Sequence, residues 1–337
     1  MLGIDGRAAR STWTAALVVL ALWLVYKVRS TLFIFVLAVL FAYLLAPLVN
    51  LLDRFLPARR TRTLALALAY VMLVGLVILG GTLIGPRVVD QAVELEKAFP
   101  AKVQGWVDSF QTLVPDSIKA ELAKRSSDVI AMLPPALLKF LTLASNLIYL
   151  VIIPVLAFFF LKDGRVIRQH ILNLVEAGSQ QALLDEVLVD VDQLLAHYMR
   201  ALVLLSVGTF TAYSIFFSVL GVPYGILLGV LGGTLEFIPM VGPLAAAVII
   251  LVVAGVSGAP LLAILIFLVG YRMFQDYVAS PHFMGQGVEL HPVLVLFGVF
   301  AGAELAGIAG TFLSVPVLAL ARILYLRIYR ARAAGAA

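Results

Sequence analysis

The stretch GGTLEFIPMVGP, residues 232–243, decides how this chain is read. It lies in the most apolar part of the sequence. Between Arg200 and Arg272 there are 71 residues, and Glu236 is the only charged one among them. Proline lacks an N–H and fixes φ, and glycine tolerates almost any φ. Pro239, Gly242 and Pro243 therefore end one helix and start another, leaving backbone carbonyls and N–H groups free beside the carboxylate. Irregular backbone of this kind is tolerated at membrane depth only where it is buried in protein or lines a cavity.

The surrounding composition supplies the membrane. Apolar residues make up 63% of 337, where soluble domains average about 45–50%. The apolar residues come in long continuous runs rather than the short alternating segments of a barrel. The expected fold is therefore all-α: a polytopic membrane protein of about eight transmembrane helices, with re-entrant or broken helices in its C-terminal half and a helical extracytoplasmic insertion. The net charge of +5 does not point to nucleic acid, because the basic residues flank apolar runs, as positive-inside topology requires. There is no cysteine, hence no disulfide, thiolate metal site or cysteine nucleophile. Four scattered histidines without an HExxH pattern give no metal site. No cofactor is expected.

Five regions follow. Residues 1–85 hold the N-terminal transmembrane helices. Apolar segments 12–26 and 31–52 read as a tight hairpin about Lys27-Val28-Arg29-Ser30, with segment 12–26 a first span rather than a cleaved signal. The basic run Arg54, Arg59, Arg60 and Arg62 belongs in the cytoplasm, and residues 63–85 cross again. Residues 86–140 form an extracytoplasmic amphipathic insertion, with Val103, Trp106, Val107, Phe110, Leu113 and Val114 on one stripe. Residues 141–161 are a further span. Residues 162–198 are a cytoplasmic amphipathic linker whose leucines face the protein and whose Asp185, Glu186, Asp190 and Asp192 form its wet side. Residues 199–328 are a membrane core of Gly/Pro-broken helices. Arg322, Arg327, Arg330 and Arg332 place the C-terminus in the cytoplasm, with the N-terminus on the same side.

The core contains a weak repeat. Pro223 and Pro292 are 69 residues apart, and at that offset Gly229-Val230 matches Gly298-Val299 and Gly233 matches Gly302. An acidic residue follows each copy, Glu236 and Glu304. Short Gly/Pro-interrupted segments at matching positions point to a transporter binding site. A charge at mid-membrane costs about 2.5–3.5 kcal/mol, so Glu236 is a candidate proton or cation site in a polar cavity. The alternative is a carboxyl that caps a broken helix or bonds across helices. The candidate substrate- or ion-binding set is Glu236, Pro239, Gly242, Pro243, Gln275, Asp276 and Glu304. Arg272 and Asp276 are spaced i,i+4 and can pair on one helix face. Gly225, Gly229, Gly233, Gly298 and Gly302 are spaced for close helix packing, within the chain or between subunits of a homo-oligomer. A hydrolytic pair of Ser257 and His282 is excluded, because a straight helix over their 25-residue separation puts them roughly 37 Å apart. No enzyme is expected.

Several stretches together resemble the AI-2E family of transporters, the PerM-like permeases. They are IPVLAFFFLKDG (153–164), GVPYGILLGVLGGTLEFIPMVGP (221–243), QDYVASPHFMG (275–285), LHP (290–292) and a Gly-rich last segment ending near Pro316. The resemblance implies a multipass protein of the bacterial inner membrane with cytoplasmic termini, linked in some members to export of autoinducer-2 and in others to Na⁺(Li⁺)/H⁺ antiport. Asp276 stands where members often have Glu, Ala303 where a second Gly is common, and Glu304 departs from the pattern. No ATP-binding signature is present. The expected function is a secondary transporter of a small solute, or of monovalent cations against protons. The alternative is a membrane scaffold that binds a partner through its outer cap.

Overall fold

A computed structural model describes residues 6–55, 61–111, 127–128, 130–132, 135, 147–284 and 290–335, and among these there is no strand. Eleven helices are named here: α1 (Gly6–Lys27), α2 (Arg29–Phe55), α3 (Thr61–Leu83), α4 (Gly85–Gln111), α5 (Leu147–Leu172), α6 (Ser179–Val219), α7 (Gly225–Leu235), α8 (Val241–Val256), α9 (Leu261–Phe274), α10 (Ser280–Met284) and α11 (Pro292–Gly335). Among the described residues, five stretches are long and apolar enough to cross a bilayer: Arg29–Phe55, Thr63–Leu83, Ser179–Val219, Leu261–His282 and Pro292–Tyr329. Shorter apolar helices accompany them, and the chain is an all-α polytopic membrane protein.

Two helix groups pack side by side. In the first, Ala42, Leu45 and Val49 of α2 meet Ala65, Leu66 and Ala69 of α3 and Ala157 and Leu161 of α5. Alanines at the centre let these backbones approach. In the second, α4, α6, α7, α8 and α9 share a core that includes Phe99, Phe217, Leu227, Leu228, Ile250, Val253 and Ile264. α6 touches α2, α5, α7 and α11 and so joins the groups.

The expected tight hairpin between the first two apolar segments is not found. Val28 N–H donates to the Leu24 carbonyl, and Leu32 N–H to the Val28 carbonyl. Helical bonding thus runs on from α1 into α2, because nothing in Lys27-Val28-Arg29-Ser30 is a helix breaker. The second half of the linker and the first apolar run of the core likewise form one unbroken helix. α6 has 41 residues and is roughly 62 Å long at 1.5 Å per residue. The insertion helix α4 buries Val88, Ala92, Leu95, Phe99, Val103 and Val107. Trp106, expected on that stripe, lies on the exposed side, one residue off the i,i+4 row. The side chain of Phe110, together with Leu113 and Val114, falls outside the described residues, as do Arg59 and Arg60.

Sharp stops shape the second group. α6 ends at Gly221 (φ 67°), with Val222 N–H donating to the Phe217 carbonyl and Gly221 N–H to the Ser218 carbonyl. α8 ends in the same way at Gly258 (φ 71°), with Ala259 N–H on the Ala254 carbonyl. Both are Schellman ends, in which a left-handed glycine lets two final carbonyls be satisfied. α7 then runs back along α6 at very short range. A Cβ on Gly229 would lie 2.1 Å from Ser214 Oγ, and one on Gly233 2.8 Å from the Ser206 carbonyl oxygen. α11 folds on itself at Ala306 and Gly307, where the backbone leaves the helical region. There a Cβ on Gly302 would lie 2.3 Å from the Gly310 carbonyl oxygen, and one on Gly298 2.5 Å from Leu318 Cδ1.

Gly229→Ala is expected to destabilise the protein by about 1–3 kcal/mol, since helix α7 must be pushed off α6. Gly80, with open space around its Cβ position, is expected to accept alanine without loss. Thermal unfolding of the two variants in detergent checks this, and equal behaviour would contradict the packing.

Candidate functional site

The site is built around the short helices α7 and α8. They have 11 and 16 residues, or about 16 and 24 Å, less than the roughly 30 Å hydrocarbon core. Both pack on α4 at one end. Gln91 Oε1 on α4 accepts a 2.9 Å hydrogen bond from Leu227 N–H, satisfying a first-turn donor that the helix itself cannot. Lys102 Nζ reaches the Tyr224 hydroxyl at 3.4 Å. At the other end lies the connection, residues 236–240.

The sequence builds that connection in a specific way. Glu236 N–H still donates to the Gly232 carbonyl at 3.2 Å, so the carboxylate projects from the last turn of α7. Pro239 then stops the helix. Met240 has φ 61° and ψ −48°, and Val241 N–H donates to the Pro239 carbonyl at 2.7 Å. This is a γ-turn of the positive-φ form, rare and strained for a side-chain-bearing residue. Gly242 follows because nothing larger fits: a Cβ there would lie 1.8 Å from the Leu235 carbonyl oxygen.

Glu236 is only 8% exposed and Gln275 2%. Gln275 Nε2 donates to Glu236 Oε1 at 3.2 Å and to Thr209 Oγ1 at 2.9 Å. Thr209 Oγ1 donates to the same Glu236 oxygen at 3.2 Å and lies 3.3 Å from the Tyr271 hydroxyl. Ser206 Oγ, one turn along α6, donates to the Gly233 carbonyl at 2.6 Å. Gln275 opens a π-helical turn, Gln275–Ala279, closed by Ser280 N–H on the Gln275 carbonyl. Such bulges change which residues face inward and recur at functional sites. Here Gln275 turns in while Asp276, its neighbour, stays exposed and forms a two-point ion pair with Arg272, at 3.0 and 2.9 Å.

A cavity of about 660 Å³ reaches this cluster. One end is lined by Glu236, Pro239, Met240, Pro243, Arg272 and Gln275, and the other by Asp190, Gln193 and His197 of α6. The walls between are largely apolar, with Leu202 and Leu205 facing Val315, Ala319 and Ile323 of α11. This volume suits a small solute.

The structure thus gathers four of the seven candidate residues, Glu236, Pro239, Pro243 and Gln275, on one cavity wall. Gly242 packs just behind them. Asp276 is outside the wall, bound to Arg272. Glu304 is exposed beside the α11 break, away from the cavity. The packing glycines Gly225, Gly229 and Gly233 lie against α6, and Gly298 and Gly302 against the second arm of α11. Sequence reading missed Thr209, Ser206, Tyr271 and Arg272 as neighbours of Glu236. For Ser206 and Thr209 the available signal was a polar row with Tyr213, spaced three and four along an apolar helix.

The family profile described as AI-2E family transporter matches residues 14–330. The Bacillus subtilis (strain 168) protein named "Putative transport protein YueF" is 25% identical over 89% of this chain and 85% of its own. The Mycobacterium tuberculosis (strain CDC 1551 / Oshkosh) protein named "Putative transport protein MT0215" is 28% identical over 90% of this chain and 84% of its own. A further B. subtilis protein, "Putative transport protein YrrI", is 32% identical over about half of each chain, 53% of this one and 51% of that one.

Thr209→Val is expected to cost about 1–3 kcal/mol of stability, because it removes a donor from a buried carboxyl. Asp276→Asn, at an exposed ion pair, is expected to stay within about 0.5 kcal/mol. Unfolding midpoints in detergent compare the two, and a larger loss for Asp276→Asn would contradict the geometry.

Proposed function

The chain belongs to the AI-2E transporter family, and from that premise we propose a secondary transporter in which Glu236 is the coupling carboxylate. That it is a multipass membrane transporter follows from the family. The coupling reading is carried by one observation: the only charge in 71 residues is buried in the wall of a cavity whose other end is polar. Burial there is unfavourable for a charge unless something compensates it. Thr209 and Gln275 both address Oε1, so Oε2 is the oxygen that a proton or a monovalent cation takes in turn.

In this reading α7 and α8 form a re-entrant hairpin with Glu236 at its tip. Its base is fixed to α4 through Gln91 and Lys102. The polar mouth of the cavity faces the cytoplasm, since Lys162, Arg165, Arg168 and Arg327 cluster on that side and basic residues are retained inside. Both termini share it, and the membrane is the bacterial inner membrane. The solute is either Na⁺ or Li⁺ exchanged for H⁺ at Glu236, or a small organic molecule of the autoinducer-2 kind moved with a proton. Subunits assemble as a homo-oligomer. The apolar stripe of α4 is spent on the chain's own hairpin, which favours a transporter cap over a partner-binding scaffold.

In proteoliposomes with a trapped pH dye, Na⁺ or Li⁺ pulses are expected to move protons, and Glu236→Gln is expected to abolish the response. Silence from well-folded wild type would remove the antiport version. A response that survives Glu236→Gln would remove the assignment of the carboxylate.

A further inference from the structure

The four carboxylates on the first half of α6 were expected to be a solvated face. Asp185, Glu186 and Asp192 keep about half of their side chains exposed, and all four also bind partners on other helices. Arg168 of α5 donates to Asp185 at 2.7 Å and reaches Asp192 at 3.5 Å, and Asp192 also accepts from the Tyr43 hydroxyl of α2. Arg327 of α11 makes a two-point contact with Asp190, Nε to Oδ2 at 2.7 Å and Nη2 to Oδ1 at 3.0 Å. Its Nη1 donates to Glu186 at 2.5 Å. The first cluster ties α6 to the α2–α3–α5 group. The second ties α6 to α11.

The second cluster sits at a particular place. Asp190 is itself part of the cavity wall, and Ile323, one helical turn before Arg327, is the last α11 residue on it. Leu205 and Asp190 mark the two ends of the α6 wall and are separated by about 22 Å at 1.5 Å per residue. At the Glu236 end Glu236 and Gln275 are 8% and 2% exposed, while Met240 and Arg272 beside them reach the surface. At the Asp190 end the Asp190 and Arg327 side chains are 29% and 28% exposed. Between these ends Tyr198 and Leu202 of α6 and Val315, Ala319 and Ile323 of α11 line the cavity, and α6 and α11 remain in contact. The arginine fork adds a polar link between the two helices at the Asp190 end.

We propose that Arg327, with Asp190 and Glu186, is the gate of the Glu236 cavity: an ion-pair latch between α6 and α11 that sets access from the polar side. The proposal rests on the reading of this cavity as the transport path. When the latch is closed, the guanidinium bridges two acidic residues across the mouth and solute exchange with Glu236 is slow. When it opens, α11 swings off α6 and the mouth widens. A planar guanidinium suits this role because its fork binds a carboxylate at two points, which lysine cannot do. Partial exposure suits it too, because a latch accessible to water and salt can exchange partners.

The test needs no transported substrate. The chain has no cysteine, so Leu205→Cys, at a buried position on the cavity wall, provides a single thiol inside the cavity. A charged, membrane-impermeant methanethiosulfonate reagent is added to inside-out membrane vesicles and the labelling rate is read by mass shift. Arg327→Ala and Asp190→Ala, each in the Leu205→Cys background, are expected to label about ten-fold faster, as loss of a networked pair shifts a two-state opening. The charge-swapped double variant Asp190→Arg with Arg327→Asp is expected to return the rate toward the parent. Raising salt is expected to speed the parent and leave Arg327→Ala unchanged. A Leu174→Cys reporter on the exposed turn after α5 labels equally in all of them if folding is intact. Where Arg327→Ala fails to fold, Arg327→Lys is used and is expected to label at an intermediate rate. Parent-like labelling in Arg327→Ala or in a folded Arg327→Lys, with normal Leu174→Cys control, overturns the latch. That outcome leaves the Glu236 reading intact, because the liposome response of Glu236→Gln is a separate measurement.

Discussion

A buried carboxyl that accepts from Thr209 and Gln275 is the interaction on which the rest of this molecule turns. Placing Glu236 in an apolar region requires donors, and the donors must come from other helices. Thr209 is 27 residues before it on α6, and Gln275 is 39 residues after it at a π-helical turn. The three residues can meet only if α7 stops at the right depth, if α6 passes close beside it, and if α9 is locally rewound to turn Gln275 inward. Each of these conditions is visible in the chain. Pro239 and Gly242 stop the helices, the glycines of α7 permit the close pass, and the π-turn rotates Gln275 away from its exposed neighbour Asp276.

The close pass has its own cause. Without a hydrophobic drive between helices in lipid, association relies on backbone approach and interhelical hydrogen bonds. α7 supplies both, through Gly225, Gly229 and Gly233 and through Ser206 Oγ on the Gly233 carbonyl. The second Gly-rich segment makes a comparable approach, with Gly302 on Gly310, but against the arm that follows it. The two copies share a proline start, a glycine face, a terminal acid and a break. They differ in burial: Glu236 is enclosed and Glu304 is exposed. A sequence repeat has thus kept its helix-breaking pattern while only one copy carries an enclosed carboxyl.

What was legible in the sequence follows from which forces act locally. Helix ends at Gly221 and Pro239, the short lengths of α7 and α8, and the isolation of Glu236 are local properties, and reading them required no partner. Gln275 was reachable because it sits in a motif carried by the family resemblance. Thr209 was not, since one hydroxyl in an apolar helix is usually satisfied by its own backbone. Nor were the partners of the acidic face of α6. Its partner Arg327 lies 137 residues from Asp190, and amphipathic patterning cannot distinguish a solvated carboxylate from one bound by a distant arginine. The continuity of α1 into α2 was missed because composition marks where a chain is apolar, not whether it reverses.

The central claim is that Glu236 is an enclosed, chemically reachable carboxyl on the transport path. Its most direct test is modification by a hydrophobic carbodiimide followed by peptide mass spectrometry, with and without saturating Na⁺ or Li⁺. The account expects adduct on Glu236, none on ion-paired Asp276, protection by the transported cation, and loss of proton movement in step with modification. Full modification of Glu236 with transport unaffected, or no modification under conditions that keep the protein folded, would contradict it.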